Sequence, residues 1–368
     1  MNQPVPLVDL RAQMAEVKDA VGADILQALE TAGFIGGPQV SAFEAEYADY
    51  VGVKHCVGVG NGTDAVEFAL RALGVDRDDE VIVPANTFIA TAEAVRRAGA
   101  TPVFVDVDDE SLLVSPLEVS KALTRRTKAI VPVHLYGRLA DVEAIAHVAP
   151  GIPVVEDAAQ SQGARRDGRV SGSFGRVAAT SFYPGKNLGA AGDAGAVTTD
   201  DDEMARRLRS LTNHGSAKKY VHDELGFNSR LDAVQAIALR HKLRRLDAWN
   251  AARRSIAERY HEMLSGVEDV RLPETGVGDA HVWHLYVVRV PHRDTVLERL
   301  NAAGIGAALH YPVPVHLTAP FAACADGPGS FPVAEQAAGE ILSLPMYPHL
   351  TPAQQEQVVD ALVAALAS

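Results

Sequence analysis

Short apolar strands alternate with helical segments between Cys56 and Thr198, and this alternation limits the possible folds more than any other feature. The predicted strands lie at Cys56–Val59, Val81–Pro84, Thr101–Phe104, Ala129–His134, Val154–Asp157, Thr180–Phe182 and Ala196–Thr198. The predicted helices lie near Thr63–Leu73, Ala90–Ala98, Pro116–Ala122 and Leu139–Ala149. Strands that are separated by helices pair in parallel, with the helices on the faces of the sheet. The sequence therefore predicts an α/β fold with a mostly parallel central sheet.

Helical segments flank this alternating region on both sides. Amphipathic helices are predicted at Asp9 to Thr31 and Val40 to Tyr50, and a long amphipathic segment runs from Ser229 to Leu264. In the remainder, strands are predicted at His284–Val290 and Gly306–Leu309. Helices are predicted at Arg293–Ala302, Val333–Leu342 and Pro352–Leu366. We expect a large domain at residues 1–245, which includes the N-terminal helix, and a small C-terminal α+β domain at residues 246–368.

A lysine follows a tight turn at the end of one predicted strand. Pro184 and Gly185 form this turn, and Lys186 comes directly after them in a loop of small residues. Burial in such a loop lowers the pKa of a lysine toward neutrality, and the free amine can then form a Schiff base with an aldehyde. Because an arbitrary Gly-Lys pair is more often a surface turn, this interpretation depends on a second residue.

That second residue is a carboxylate at the end of the preceding predicted strand. Glu156 and Asp157 are adjacent, so they point to opposite faces of the strand. We choose Asp157 because it lies nearer the carboxyl end, where parallel sheets bind ligands. A carboxylate against the pyridine nitrogen of pyridoxal 5'-phosphate (PLP) keeps the ring protonated, so that the ring accepts electrons from a carbanion. The pair predicts a PLP enzyme in which Lys186 bonds to the cofactor and Asp157 tunes its charge.

A glycine-rich turn precedes the first helix of the alternating region. Gly60-Asn61-Gly62-Thr63-Asp64 joins a strand to a helix, where small residues let the backbone approach an anion and helix N–H groups point toward it. We expect Gly62 and Thr63 to contact the PLP phosphate. A dinucleotide fingerprint is the rival interpretation, but the glycine spacing does not match it and no acidic residue ends the next strand.

Composition narrows the class of protein and its location. The chain has 368 residues, of which 47% are hydrophobic, and its formal net charge is −13. This charge argues against broad binding to nucleic acid or membrane surfaces. Two cysteines, Cys56 and Cys324, fit a reducing cytoplasm, and no leader pattern or long apolar run is present. We therefore expect a cytoplasmic protein.

The motifs together resemble the DegT/DnrJ/StrS-type aminotransferases, which are PLP-dependent enzymes that act on nucleotide-linked keto-sugars. The central motifs are Asp157-Ala-Ala-Gln160 and Ser181-Phe-Tyr-Pro-Gly-Lys186-Asn-Leu-Gly. The resemblance covers nearly the whole chain and includes Phe34-Ile-Gly-Gly-Pro38, Pro84-Ala-Asn-Thr-Phe88, Pro132-Val-His-Leu-Tyr-Gly137, Gly226-Phe-Asn-Ser-Arg-Leu-Asp232, His310-Tyr-Pro312 and Leu344-Pro-Met-Tyr-Pro348. It implies the fold-type I PLP-dependent transferase fold, which is like that of aspartate aminotransferase.

The resemblance also implies further contacts with the cofactor. Ser181 matches a residue that donates its hydroxyl to the phosphate, and Phe88 matches an aromatic residue that stacks on the pyridine ring. Gln160 matches the residue that bonds the ring hydroxyl side. Asn228 matches an asparagine that reaches the phosphate from the neighbouring subunit, which implies a homodimer with shared active sites.

On the substrate side the resemblance is to the branch that acts on dTDP-3-keto-6-deoxyhexoses. Tyr183, Lys219, His310 and Tyr311 match positions that approach the sugar in that branch. The residues around Lys186, including Gly192-Asp193, favour this branch over the one that acts on 4-keto sugars. Transfer to carbon 4 stays the alternative.

The resulting hypothesis is a two-stage transamination with L-glutamate as amino donor and a nucleotide-linked keto-sugar as acceptor, in deoxy-aminosugar and antibiotic biosynthesis. Pyridoxamine 5'-phosphate is the form of the cofactor between the two stages, and Lys186 acts as general base and acid. A sugar dehydratase of similar sequence would carry histidine in place of Lys186. A PLP-binding regulator without enzymatic activity is the alternative from another class. His134, His281, His284 and His316 have no matching acidic or thiol cluster, so no metal is expected.

Overall fold

The computed structural model describes residues 3–216, 218, 220–275 and 277–367. The helices are α1 (Leu10–Ala15), α2 (Lys18–Thr31), α3 (Gly37–Val51), α4 (Gly62–Ala72), α5 (Ile89–Ala98), α6 (Pro116–Ala122), α7 (Val142–Val148), α8 (Asp202–Thr212), α9 (Ala233–Leu243), α10 (Leu246–Leu264), α11 (Arg293–Ala302), α12 (Pro332–Glu340) and α13 (Pro352–Leu366). The strands are β1 (His55–Val59), β2 (Glu80–Pro84), β3 (Thr101–Val105), β4 (Thr127–Ile130), β5 (Val155–Asp157), β6 (Arg165–Arg166), β7 (Arg169–Val170), β8 (Val177–Ser181), β9 (Gly195–Thr199), β10 (Tyr286–Arg289) and β11 (Ile341–Leu344).

The central sheet has the strand order β3-β2-β4-β5-β8-β9-β1. It consists of a three-stranded and a four-stranded part, which parallel bridges from Ile130 to Val154 and from Val133 to Asp157 join. Strand β9 runs antiparallel to β8 and β1, whereas β2, β3, β4, β5 and β8 pair in parallel. The predicted mostly parallel α/β architecture is confirmed. This order places the carboxyl ends of β5 and β8 side by side at one edge of the sheet.

Helix α4 carries the glycine-rich turn onto the sheet. The Asn61 side chain caps the helix by accepting a hydrogen bond from the Asp64 N–H at 2.9 Å. Phe68 and Leu70 are buried in the core that the strands form with α4 and α5. Because this apolar face anchors the helix, its N-terminal end is held next to the end of β8.

A second core lies in the C-terminal part of the chain. Strands β10 and β11 pair antiparallel, and Tyr286 of β10 is buried in one core with Tyr260 and Leu362. Val5, near the other end of the chain, is buried in the same core and pairs with Ile305. The N-terminal segment therefore packs on the C-terminal core, although the predicted large domain includes it. The boundary at residues 245 and 246 falls between α9 and α10 and stays a prediction.

Several predicted elements differ from the structure. The predicted helix from Asp9 to Thr31 is broken into α1 and α2, and α8 was not predicted. The predicted helix Val333–Leu342 ends at Glu340, because its last apolar residues belong to β11. The run Ile341–Leu344 is buried at every position, and such a short apolar run fits a helix or a strand equally well by its pattern. Among the described residues, no helix is long and apolar enough to cross a membrane.

Candidate active site

A cavity of about 460 Å³ opens at the sheet edge where β5 and β8 end. Most of the predicted site residues line it: Gly62, Thr63, Phe88, Asp157, Gln160, Ser181, Tyr183, Lys186, His310 and Tyr311. Asn228 is exposed and does not line this cavity of its own chain. Lys219, the other predicted site residue, lies outside the described residues. The structure thus brings residues from distant parts of the sequence to one site.

The alternation of β5 separates its two carboxylates. Asp157 lines the cavity, whereas Glu156 is fully buried on the opposite face. Glu156 accepts hydrogen bonds from the N–H groups of Gly172 at 2.9 Å and Gly175 at 2.7 Å, and from the His134 ring at 2.9 Å. These bonds lower the pKa of Glu156, although burial alone would raise it. Glu156 is therefore a structural carboxylate, and Asp157 is the one that faces the cavity.

The cavity surroundings of Asp157 leave its charge poorly compensated. Burial raises the pKa of Asp157, while the Thr91 hydroxyl, the Ala159 N–H and the charge of Lys186 act in the opposite direction. Thr91 donates to Oδ2 at 2.8 Å and Ala159 donates to Oδ1 at 3.2 Å. A buried carboxylate in this state favours a cation beside it in the cavity.

Lys186 lies in a loop that is fixed by backbone hydrogen bonds. Its N–H donates to the Tyr183 carbonyl at 2.8 Å, and the Ala190 N–H donates to the Phe182 carbonyl at 2.7 Å. Burial lowers the pKa of Lys186 to about 8, and the charge of Asp157 acts against this shift. At pH 7 about a tenth of the amine is therefore uncharged and able to act as a nucleophile, far more than for an ordinary lysine.

The start of α4 meets the end of β8 to form a cradle for an anion. Asn61, Gly62, Thr63 and Ser181 all line the cavity there. A Cβ atom at Gly62 would lie 2.5 Å from Ser181 Cβ, so only glycine fits at this position. The first N–H groups of a helix have no partner within the helix and attract negative charge. The cradle suits a phosphate group.

Two aromatic residues, Phe88 and Tyr311, line the cavity. The rings of Phe88 and Tyr311 lie with their centroids 5.2 Å apart. The Gln160 side chain donates to the Tyr311 hydroxyl at 3.2 Å and accepts from the Tyr136 N–H at 2.6 Å. His310 bonds Ser343 Oγ through Nδ1 at 2.8 Å, and burial together with the charge of Lys186 lowers the pKa of His310 to about 4. His310 is therefore a neutral imidazole at physiological pH.

Some lining residues were not found from the sequence. The cavity lining also includes residues from segments that are far apart in the chain: Leu7, Val8, Thr91, Asp193 and His284. Asp193 belongs to the sequence motif around Lys186, but the motif alone does not predict that it lines the cavity. His284 Nδ1 contacts the Asn187 side chain at 3.1 Å, which a sequence pattern cannot reveal. In the described part of the chain, no group of three or more histidine, cysteine or acidic residues is arranged to hold a metal ion.

Comparison with known proteins identifies the family. The model of the DegT/DnrJ/EryC1/StrS aminotransferase family matches residues 16–363. The chain belongs to this family. It is 48% identical to a dTDP-3-amino-3,4,6-trideoxy-alpha-D-glucose transaminase of Streptomyces venezuelae, over 97% of this chain and 95% of the relative. It is 49% identical to a UDP-N-acetyl-3-dehydro-alpha-D-glucosamine 3-aminotransferase of Acidithiobacillus ferrooxidans, over 97% of this chain and 96% of the relative.

A solved structure supports the same assignment. The crystal structure of S. venezuelae DesV in complex with a ketimine intermediate matches with a TM-score of 0.96 and 47% identity, over 100% of both chains. The protein is therefore a PLP-dependent sugar aminotransferase of this family. The predictions of the fold, the enzyme class and the cofactor are confirmed.

The residues of the cavity fit the chemical groups of PLP. The glycine cradle at Gly62 suits the phosphate, and the undercompensated carboxylate of Asp157 suits a protonated pyridine nitrogen. The Phe88 ring offers an apolar surface to a flat ring, and Lys186 offers a partly neutral amine to an aldehyde.

Replacing Gly62 with alanine should weaken cofactor binding by about tenfold or more, because the new methyl group would force β8 away from the start of α4. The affinity is measured by titrating the apoenzyme with PLP and following absorbance. Gly22→Ala in α2 is the matched control, since a Cβ atom there meets nothing within 4 Å. Equal cofactor affinity in Gly62→Ala and the parent would contradict the assignment of this turn to the phosphate.

Proposed function

We propose that this aminotransferase moves the amino group of L-glutamate to carbon 3 of a dTDP-linked 3-keto-6-deoxyhexose. The observation that carries the chemistry is the pair of Lys186 and Asp157 in one cavity, where each charge shifts the pKa of the other group. The choice of substrate follows the S. venezuelae relative, whose name describes a dTDP-linked 3-amino sugar.

The two central residues have different roles in this proposal. Bound PLP supplies an aldehyde carbon that takes up the amino group and a ring that accepts the electron pair of the donor α-carbon. Lys186 holds the cofactor covalently in the resting enzyme. Once released, its Nζ atom would move a proton from the α-carbon of L-glutamate to the former aldehyde carbon of the cofactor, and in the second stage from that carbon to carbon 3 of the sugar. Asp157 stays ionised and keeps the ring nitrogen protonated.

Other residues orient the cofactor. Gly62, Thr63 and Ser181 hold the phosphate, Phe88 covers one face of the ring, and Gln160 bonds the side of the ring hydroxyl. The Gln160 amide is oriented by its bonds to Tyr136 and Tyr311, so its donor group is fixed relative to the cavity.

Four residues are proposed to contact the sugar. Tyr183, His310 and Tyr311 line the cavity, and Lys219 is assigned by the resemblance alone. The neutral imidazole of His310 can exchange hydrogen bonds with a sugar hydroxyl without adding a charge.

The charge of the cavity supports a homodimer with shared active sites. Within the described ranges, Lys186 is the only lysine or arginine that lines the cavity, next to Asp157 and Asp193. The cofactor phosphate and the diphosphate of a nucleotide-sugar both need further polar or cationic partners. Asn228 is exposed, and Ser229 beside it bonds the Gly60 N–H at 3.0 Å. We propose that Asn228 reaches the cofactor phosphate of a partner subunit.

Exposed apolar side chains are consistent with this interface. Five large ones are exposed in or near α2 and next to Asn228: Leu26, Leu29, Phe34, Ile35 and Leu225. Leu225 is 90% exposed in the single chain. Exposed apolar patches often mark the contact surfaces between proteins.

Mixing two inactive variants should restore activity if the sites are shared. In a mixed dimer of Lys186→Ala and Asn228→Ala chains, one site combines an intact Lys186 with an intact Asn228. Random exchange should then recover about a quarter of the parent activity. As a control, Lys186→Ala protein is taken through the same exchange with itself, which should restore no activity. Absence of recovery, in a mixture that mass spectrometry shows to contain mixed dimers, would contradict sharing through Asn228.

The substrate is tested directly with the purified holoenzyme and L-glutamate. We offer a dTDP-linked 3-keto-6-deoxyhexose, its 4-keto isomer and a UDP-linked 3-keto sugar, and follow 2-oxoglutarate and the amino sugar by mass spectrometry. The kcat/KM for the dTDP-linked 3-keto sugar should exceed the other two by about tenfold or more. Turnover of the 4-keto sugar alone would contradict the assignment of the reaction to carbon 3. A preference for the UDP-linked sugar would contradict the assignment of dTDP as the nucleotide.

A further inference from the structure

A chain of two threonine hydroxyls leads to the carboxylate of Asp157. Thr91 Oγ1 lies 2.8 Å from Asp157 Oδ2, and Thr87 Oγ1 lies 2.9 Å from Thr91 Oγ1. Thr87 and Thr91 are 2% and 1% exposed, and both line the cavity. Neither threonine belongs to the residues that the proposed function uses.

The direction of these hydrogen bonds follows from counting donors. An ionised carboxylate only accepts, so Thr91 must use its single hydroxyl proton on Asp157. Thr91 can then only accept from Thr87, and Thr87 must donate to it. The chain therefore runs from Thr87 through Thr91 to Asp157, in the direction that stabilises a negative charge at its end.

The hydrogen bond from Thr91 to Asp157 joins two elements that are far apart in the sequence. Thr91 is in the first turn of α5, and Asp157 ends β5, 66 residues later in the chain. A helical threonine commonly returns its hydroxyl to the carbonyl one turn earlier, but this one bonds the carboxylate. It fixes one oxygen of Asp157, and the Ala159 N–H fixes the other.

We propose that Thr91, supported by Thr87, is a positioning residue that keeps the Asp157 carboxylate ionised and oriented so that the ring nitrogen of the cofactor stays protonated. This rests on the role of Asp157 in the proposed function. The other groups that act on Asp157 are Lys186, from the loop after β8, and His134, after β4, whose charges would favour its ionised form. The charge of Asp157 in turn acts on Tyr311, from the C-terminal part of the chain.

The test measures the ring nitrogen and not the activity. The apoenzyme is reconstituted with PLP that carries ¹⁵N in the ring, and the ¹⁵N chemical shift is followed against pH. Thr91→Val keeps the shape of the side chain and removes the donor. It should lower the pH midpoint of ring protonation by about one unit, because the Asp157 oxygen that Thr91 held is then free to turn away from the ring nitrogen. Thr91→Ser restores a hydroxyl and should match the parent.

Two further variants separate this effect from a general loss of packing. Thr87→Val removes only the donor to Thr91. It should also lower the midpoint, but by only about half a pH unit, which is about threefold in the protonation equilibrium. Thr198→Val removes another buried hydroxyl, which bonds the Gly172 carbonyl at 2.8 Å, and should leave the midpoint unchanged. If Thr91→Val does not fold, the midpoint measured for Thr87→Val still tests the inference.

The outcomes distinguish this inference from the proposed function. Asp157→Asn should lower the midpoint more than any threonine variant does. If Asp157→Asn lowers it but Thr91→Val and Thr87→Val leave it at the parent value, the inference is wrong and the role of Asp157 stands. If Asp157→Asn itself leaves the midpoint unchanged, the role of Asp157 is wrong and the inference falls with it.

Discussion

Replacing Lys186 with alanine should lower kcat/KM by about 10⁴-fold or more, because both the covalent hold on the cofactor and the proton transfer at the α-carbon are lost. The loop around Lys186 is held by backbone hydrogen bonds that do not involve its side chain, so the variant should fold. The measurement is the rate of 2-oxoglutarate formation from L-glutamate in the presence of the keto-sugar, together with the absorbance of the bound cofactor.

Lys121→Ala is the matched control for Lys186→Ala. Lys121 is an exposed lysine on α6 that pairs with Glu118, so its removal should leave the activity within about twofold of the parent. If Lys186→Ala kept a tenth or more of the parent activity, another residue would carry the proton transfer.

Replacing Asp157 with asparagine should lower kcat by about 10³-fold while the protein stays folded. Asparagine has the shape of aspartate and its carbonyl oxygen can still accept the Thr91 hydroxyl, but it carries no negative charge. Without that charge the ring nitrogen loses its proton and the ring becomes a poorer acceptor of electrons. Single-turnover measurement with L-glutamate isolates this first stage from the sugar.

The adjacent carboxylate gives a control for burial and charge. Glu156→Gln removes a buried charge on the opposite face of β5, where it binds His134 and backbone N–H groups. It should lower the free energy of unfolding by about 1–3 kcal/mol and lower kcat far less than Asp157→Asn does. Equal losses of kcat in the two variants would mean that Asp157 acts only through the stability of β5.

The sequence predicted the site best where it depends on local periodicity. The alternation of side chains along a strand showed that only one of Glu156 and Asp157 could face the site, and the position nearer the strand end selected Asp157, which lines the cavity in the structure. The helices Arg293–Ala302 and Pro352–Leu366 have the predicted bounds. The second begins with a capping box formed by Thr351 and Gln354, which is a strong local signal.

Contacts between distant segments were not predictable in the same way. Leu7 reaches the cavity because the N-terminal segment lies on the C-terminal core, where its carbonyl accepts from the Met346 N–H at 3.1 Å. Thr91 is an ordinary helical threonine in the sequence, and only the tertiary fold brings the first turn of α5 to Asp157 at the end of β5. Ile341 and Leu342, the first two residues of β11, were assigned to a helix because the pairing of β11 with β10 is not encoded in its own pattern.

The most direct test of the central claim is to find the residue that holds the cofactor. The holoenzyme is reduced with borohydride, digested and analysed by mass spectrometry. The account predicts that the cofactor is attached to the peptide that contains Lys186. Lys242 is a second buried lysine whose pKa burial lowers to about 8, but its Nζ donates to the Gly189 carbonyl at 2.7 Å. Cofactor attached to Lys242, or to any lysine other than Lys186, would contradict the account.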